Sequence, residues 1–482
     1  MSIKTWGRIV QVSTEGENFV GEELNYAPPV KRPDRPEYAA KREELRAAGV
    51  KYVFSAYTDL HGVGKGKMVP IDHFVDMMRG SELFTGAAID GLGQTPADDE
   101  IGPWPDLDRI IIMPHRPEVA VAFGALHYGG EPWPMCSRNV LQRAIDRAEK
   151  LGFTFNLGIE TEFYLVKKVS DTEIVPHDPL DVMEKAAYDI VDTMGSHAFL
   201  DEAVTHMNTL GFDVASFDHE DSNGQFEIDF AYADVMTSCD RQVMWRMMMK
   251  ELARKHGFDI TMMPKPYSNR TGTGAHFNMS LADITSGENL FATEDDPRGC
   301  ELSNLGYQFI AGILAHAPAL TAMACSTVNS YKRLLSTGSM TGFTWAPVFI
   351  SYGRNNRTHM VRIPMTSPRV ESRAVDPTCN PHVTAAMYLH AGLDGIEQGM
   401  DPGDPINLNM YTEPASTRER LGVKTLPRTL LEAIEAFAED ELCERALGPD
   451  LRQSFIDLKS QEWWEYHNHV SDWELKRYLT FF

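Results

Sequence analysis

Paired cysteines, long apolar runs and an excess of positive charge are all missing from this 482-residue chain. The six cysteines (Cys136, Cys239, Cys300, Cys325, Cys379 and Cys443) show neither a CxxC nor any paired spacing. That excludes a disulfide scaffold and fits reduced thiols. No segment approaches the roughly 18 apolar residues of a membrane span. The start, MSIKTWGRIVQVSTEGENF, lacks the apolar core of a signal peptide. The expectation is a soluble, cytoplasmic protein. Lys and Arg number 45 against 69 Asp and Glu, a net charge of -24 that argues against nucleic acid or an anionic membrane as partner. No Walker pattern is present either, so His61, Lys65 and Lys67 in HGVGKGK read as a solvated turn.

What the chain does have begins with ordinary globular composition, 43% hydrophobic and 24% charged, over a length that suits two or three domains. Residues 1–36 end in the Pro-rich, charged tract APPVKRPDRPE and read as an N-terminal arm. A helix is expected over Tyr38–Ala48, a hairpin in KYVFSAYTDLHGVGKGKMVP turning at Gly62–Gly66, a helix near Asp72–Met78, and strands in DRIIIMP and VAVAFGAL. Residues 37–130 therefore form a small α+β domain, and 131–482 a second, larger unit. Further helices are expected over Arg138–Leu151, Met183–Met194, Asp201–Leu210, Arg241–His256 and Leu305–Ala324. The last third is mostly helical.

The stretch GIETEFYLV, residues 158–166, reads as a strand, with Ile159, Phe163 and Leu165 alternating with Glu160, Glu162 and Tyr164. Alternation sets both glutamates on one face, where they repel and resist burial unless cations neutralise them. A polar, solvated sheet face is the simpler reading of that stretch alone. Later strands, however, repeat the pattern with complementary residues. QFEIDF carries Glu227, AHFNMSL carries His276, Asn278 and Ser280 on one face, and RVESR carries Arg369, Glu371 and Arg373. Glu220 precedes Glu227 by seven positions in the loop HEDSNGQFE. Hard carboxylate oxygens with one imidazole suit Mg²⁺ or Mn²⁺. Arginines beside them suit phosphates or a substrate carboxylate. Together these are the means of ATP- and metal-dependent phosphoryl transfer.

The blocks GIETEF, HEDSNGQFE, MPKPYSNRTGTGAHFNMSL, NSYKRL, NNRTHMVRIP and RVESRAVDPTCNP resemble, in order and spacing, those of the glutamine synthetase family, over roughly residues 50–482. The resemblance implies an α+β protein: an N-terminal β-grasp domain, then a catalytic domain whose curved antiparallel sheet is surrounded by helices. It implies a homo-oligomeric ring, a dodecamer, with each active site completed by a neighbour. By the same resemblance, Glu162, Glu220 and Glu227 hold one divalent metal, and Glu160, His276 and Glu371 another. Arg333 and Arg373, with Gly272 and Glu162, match the glutamate site. Arg357 and Arg362 match the arginines at the ATP phosphates and the acyl phosphate. Asn278 and Ser280 fall at the ATP site, although 278 is usually His in the family. The implied catalytic set is Arg333, Arg357 and Arg362, and the implied small molecules are L-glutamate, ATP and a nitrogen nucleophile.

Two positions depart from the family. Its ammonium site uses the Asp of an FDGSS-type block, where this chain reads FTGAAIDG with Thr85. It also uses the Glu of a PGYEAP-type flap, where this chain reads STGSMTGFTWAP with Trp345. Loss of both anions with the rest intact resembles the γ-glutamylamide synthetases, which use organic amines. An alkylamine is a cation that Trp345 could hold by a cation–π contact; an arylamine is already neutral and needs no base. The lean is towards a hydrophobic or aromatic amine. Asp90 as a displaced anion would weaken it. Two alternatives stay open: glutamine synthetase using ammonia, and a non-catalytic member of the fold. Tyr411, in NLNMYTEP, lies near the adenylylation position of some bacterial members, but its surroundings differ and no such control is expected.

Overall fold

Two sheets organise the chain. The computed structural model describes residues 30–337 and 339–482; the expected N-terminal arm lies, as far as residue 29, outside the described residues. The first sheet grows from the hairpin Tyr52–Thr58 and Gly64–Pro70, paired antiparallel. The strand Val119–Tyr128 runs parallel to Tyr52–Thr58, and Gly102–Ile112 pairs antiparallel beyond it. The turn falls at Asp59–Val63, where Gly62 takes φ +73°, so Gly64 and Gly66 belong to the second strand and not to the turn. The helix Pro36–Ala47 lies over this sheet through Tyr38 and Leu45.

The second sheet is centred on the 16-residue strand Phe153–Lys168. It pairs on one side with Ala275–Asp283, then Val370–Ser372, His359–Ile363 and Phe349–Arg354. On the other side come Gln225–Phe230 and Val214–His219. One face of these strands is apolar. Leu157 and Ile159, with Phe277, Met279 and Leu281, are buried against the helices Asn304–Ala315 and Pro381–Glu397. Those two helices approach at glycines: a Cβ on Gly312 would lie 1.9 Å from Ala391 O, and one on Gly395 2.1 Å from Gln308 O. The opposite face of the sheet is left to the charged residues, which is what alternation dictates.

Three further details differ from the sequence expectation. Helix forms only over Ile190–Gly195 and not from Met183, because Tyr188 sits at φ +65° and the Asp189 side chain caps the later start through Val191 N and Asp192 N. The helix expected over Leu305–Ala324 is two, Asn304–Ala315 and Ala317–Ala324, since Pro318 cannot continue the first. The sheet is antiparallel except where Phe349–Arg354 runs parallel to His359–Ile363; Asn355, at φ +50°, starts the link that brings the chain back.

Asn380 ties the hairpin of the first sheet to the segment after the second: its amide donates to Asp59 O at 2.7 Å and Ser137 Oγ at 2.7 Å. Among the described residues no helix is long and apolar enough to cross a membrane.

Candidate active site

Strand register places the charged residues. Glu160 lies opposite His276, Glu162 opposite Glu227, and Glu371 between Asn278 and Arg362. Glu160, His276 and Glu371 bring one ligand atom each within 4.8 Å of one another, and so do Glu162, Glu227 and His276. His276 thus stands between both groups, with Nδ1 3.7 Å from Glu160 and Nε2 3.6 Å from Glu162. Glu220 is outside these groups but close enough to be the largest charge acting on Glu227.

The electrostatics ask for positive charge. Burial, then Glu371, lifts the Glu160 carboxyl to about 7. Burial, then Glu162 and Asp218, lifts Glu220 to about 8. Glu227 is pushed well above the usual range by burial and by Glu220, Glu160 and Glu162, and its Oε2 is a buried oxygen with no hydrogen-bond partner among the described residues. Burial and Arg373 hold His276 down at about 3, so its imidazole is neutral and can offer a lone pair. Oxygen donors in excess, one neutral imidazole and an orphaned carboxylate oxygen fit divalent cations such as Mg²⁺ or Mn²⁺.

Glu371 differs from the other carboxylates. It is fully buried, yet Arg373 Nη1 donates to Oε1 at 2.8 Å and Arg362 Nη1 to Oε2 at 2.6 Å. Burial alone would raise it, but the Arg373 and Arg362 guanidinium groups outweigh burial and keep it ionised. Arg373 keeps a buried Nε without a partner among the described residues, and that donor is free for an acidic substrate. Arg333 spends both terminal nitrogens on backbone, donating to Ala374 O at 2.9 Å and Arg373 O at 2.8 Å. These two bonds hold the segment that carries Arg373. Arg357 has no hydrogen bond to a described residue and lines a cavity of about 470 Å³ with Trp345, Phe343 and Tyr411.

The strand Phe153–Lys168 is braced at Glu162 by two residues not singled out from the sequence, Gly274 and Gln225. Glu162 Oε2 accepts from Gly274 N at 2.8 Å and from Gln225 Nε2 at 3.1 Å. A Cβ on Gly274 would come within 2.5 Å of His276 Nε2, and one on Gly272 within 2.5 Å of Arg333 Cγ. Both glycines are required by close approach. Gln225 shared a strand face with Glu227 in the sequence, which was the available signal. Asn355 Oδ1 accepts from Arg362 Nη2 at 2.7 Å. Tyr188, far from these residues in sequence, feels the charges of Glu220, Asp218, Arg357 and Glu227.

The model of the glutamine synthetase catalytic domain matches residues 134–478. The chain belongs to the glutamine synthetase family. Members of the family are ATP-dependent ligases that form a carbon–nitrogen bond and use divalent metal ions. The glutamate–methylamine ligase of Methyloversatilis universalis is 40% identical over 439 residues, 91% of this chain and 98% of that protein. The glutamine synthetase of Rhizobium leguminosarum bv. phaseoli is 36% identical over 429 residues, 89% of this chain and 96% of that one. Among solved structures, a GmaS/ADP complex superposes with a TM-score of 0.85 at 36% identity, covering 91% of this chain and 99% of that one. Apo GmaS without ligand gives 0.83 at 35% identity, with the same coverage of both chains.

The remaining candidates of the family site are less closely gathered. Asn278 Oδ1 accepts from Arg369 Nε at 2.7 Å, while its Nδ2 is buried without a partner among the described residues. Ser280 lies two residues further along the same strand. Trp345 is 40% exposed at φ +54°, with its ring 5.4 Å from that of Phe343. Thr85 is exposed and is not among the side chains lining the Trp345 cavity; Asp90 pairs with His61 at 3.1 Å.

Proposed function

We propose that the protein joins the γ-carboxylate of L-glutamate to an organic amine, with ATP giving ADP and phosphate, through γ-glutamyl phosphate. The observation that carries this reading is the contrast within one site. Five of the carboxylate and imidazole candidates converge beside Arg362 and Arg373, while the flap beside Arg357 presents Phe343 and Trp345 and no carboxylate. The likeness to a glutamate–methylamine ligase supports it.

In this reading Glu160, His276 and Glu371 hold one Mg²⁺ or Mn²⁺, and Glu162, Glu220 and Glu227 hold another. The cations, when bound, supply positive charge to phosphate oxygens. Arg373, steadied by Arg333 and by the close approach at Gly272, grips the glutamate. Arg357 and Arg362 bind phosphate oxygens and offset the charge that develops as the bond to the leaving ADP breaks. Asn278 and Ser280 line the ATP site. Trp345 receives the amine, holding an alkylammonium by its ring face and favouring its deprotonated form in a drier setting.

The same reading gives a homo-oligomeric ring, a dodecamer, in which residues 37–130 of one protomer bring Thr85 to the site that residues 131–482 of its neighbour build. Its setting is the cytoplasm, with no nucleic acid or membrane partner.

Mass-spectrometric identification of the product tests it. With ATP, Mg²⁺, glutamate and an equimolar mixture of methylamine, aniline and ammonium, γ-glutamylamides should dominate; glutamine as the main product would instead assign the chain to ammonia.

A further inference from the structure

The loop 339–346, which carries Phe343 and Trp345, is fastened to the loop that carries Glu220 by one side-chain bond. Thr341 Oγ1 donates to Asp221 Oδ2 at 2.6 Å, across 120 residues of sequence, and Thr341 is 4% exposed. Asp221 is also tied to the site: its backbone N–H donates to Glu220 Oε2 at 3.2 Å. A continuous path therefore runs from a candidate metal ligand through Asp221 to the aromatic loop.

Other contacts locate the loop without closing it onto the Glu220 segment. Tyr411 Oη donates to Ala346 O at 2.8 Å at its far end, and Met340 N donates to Asn269 O at 2.8 Å. The Glu220 segment is itself rigid. Asp181 accepts from His219 Nε2 at 2.9 Å and from Asn223 Nδ2 at 2.8 Å, and it also accepts from Gly224 N. The Thr341–Asp221 bond thus joins the middle of the aromatic loop to a segment that is held by Asp181. A hydrogen bond to a carboxylate is of the strong class, and this one is largely shielded from water.

We infer that Thr341 and Asp221 are positioning residues that latch the aromatic loop shut and so decide whether an amine or water reaches the acyl phosphate. The inference rests on the functional reading above. With the latch closed, Phe343 and Trp345 cover the cavity beside Arg357. With it open, water attacks the acyl carbon. A carbon–oxygen bond to water forms as the bond to phosphate oxygen breaks, a water proton passes to solvent, and glutamate and phosphate leave without amide.

The test is phosphate released per γ-glutamylamide formed, in the full-length protein with Mg²⁺, ATP, glutamate and methylamine. Wild type should stay near one. Thr341→Val should raise the ratio by about tenfold, the effect of losing one charge-assisted hydrogen bond, with the glutamate KM unchanged. Thr341→Ser, which keeps the donor, should restore coupling, and Asp221→Asn should be intermediate. A ratio near one in Thr341→Val, or a rise that Thr341→Ser fails to correct, overturns the latch. Should wild type favour ammonium, the functional reading falls, and the ratio is taken per glutamine so that the latch is judged separately.

Discussion

Glu162 faces Glu227 directly across neighbouring strands, in the same register that sets Phe163 opposite Phe226. The phenylalanine pair turns into the core and the carboxylate pair turns out of it. Like charges opposed on a sheet are unfavourable, so the register itself builds the demand for cations.

The pH dependence of the metal-free protein follows. Glu160, Glu220 and Glu227 have raised carboxyls, so the folded state holds protons that the unfolded state has released. Stability from these groups must then fall as pH rises from the unfolded carboxylate range through their folded values. His276, lowered, acts oppositely below its ordinary value of 6.5, so the fall is read from pH 6.5 to about 8, where the raised His219 and His316 add a part that neither Mg²⁺ nor a Glu227 substitution removes. Thermal unfolding in chelator should shift downward across that window. Saturating Mg²⁺ or Glu227→Gln should make the slope shallower; an unchanged slope in both would contradict this reading.

Glu371→Gln removes the anion between Arg362 and Arg373, and Arg373 is 6% exposed. Breaking such a buried pair costs roughly 3–5 kcal/mol. The variant should unfold at markedly lower temperature and lose turnover by more than about a hundredfold, since a candidate metal ligand goes with the ion pair. Calorimetry and steady-state phosphate release check the two parts.

Gly272→Ala would set a methyl 2.5 Å from Arg333 Cγ and 2.6 Å from Pro264 O. Arg333 must move, and the segment bearing Arg373 with it. The expected result is a glutamate KM raised about tenfold with ATP binding retained, because misplacement by even about 1 Å is expensive. Titration of ATP alone separates this from general damage.

Trp345→Ala removes a ring that is 40% exposed beside Arg357. The KM for methylamine should rise by roughly tenfold, the scale of a cation–π contact, while turnover with ammonium stays within about threefold. Equal losses for both acceptors would mean that Trp345 only packs the loop.

The sequence carried the face of each strand, since alternation in GIETEF, QFEIDF and AHFNMSL needs no partner to be read. Register did not show. Nothing in one strand says that His276 will stand between Glu160 and Glu162, and so enter both ligand groups while Glu220 stays outside them. The braces on Glu162 were hidden for the same reason: Gly274 N and Gln225 reach it only once three strands are side by side. Tyr188 defeated the helix expected over Met183–Met194 because a left-handed tyrosine is set by tertiary context and not by periodicity. The Thr341–Asp221 bond lies in two loops, where no periodic signal exists.

The central claim is the choice of acceptor. The most direct measurement is kcat/KM for methylamine, longer alkylamines, aniline and ammonium in turn, with saturating glutamate, ATP and Mg²⁺. The account predicts that an organic amine exceeds ammonium by at least about tenfold, the discrimination an apolar pocket gives per added carbon or two. Ammonium as the best acceptor would contradict it and make Thr85 and Trp345 variations within a glutamine synthetase.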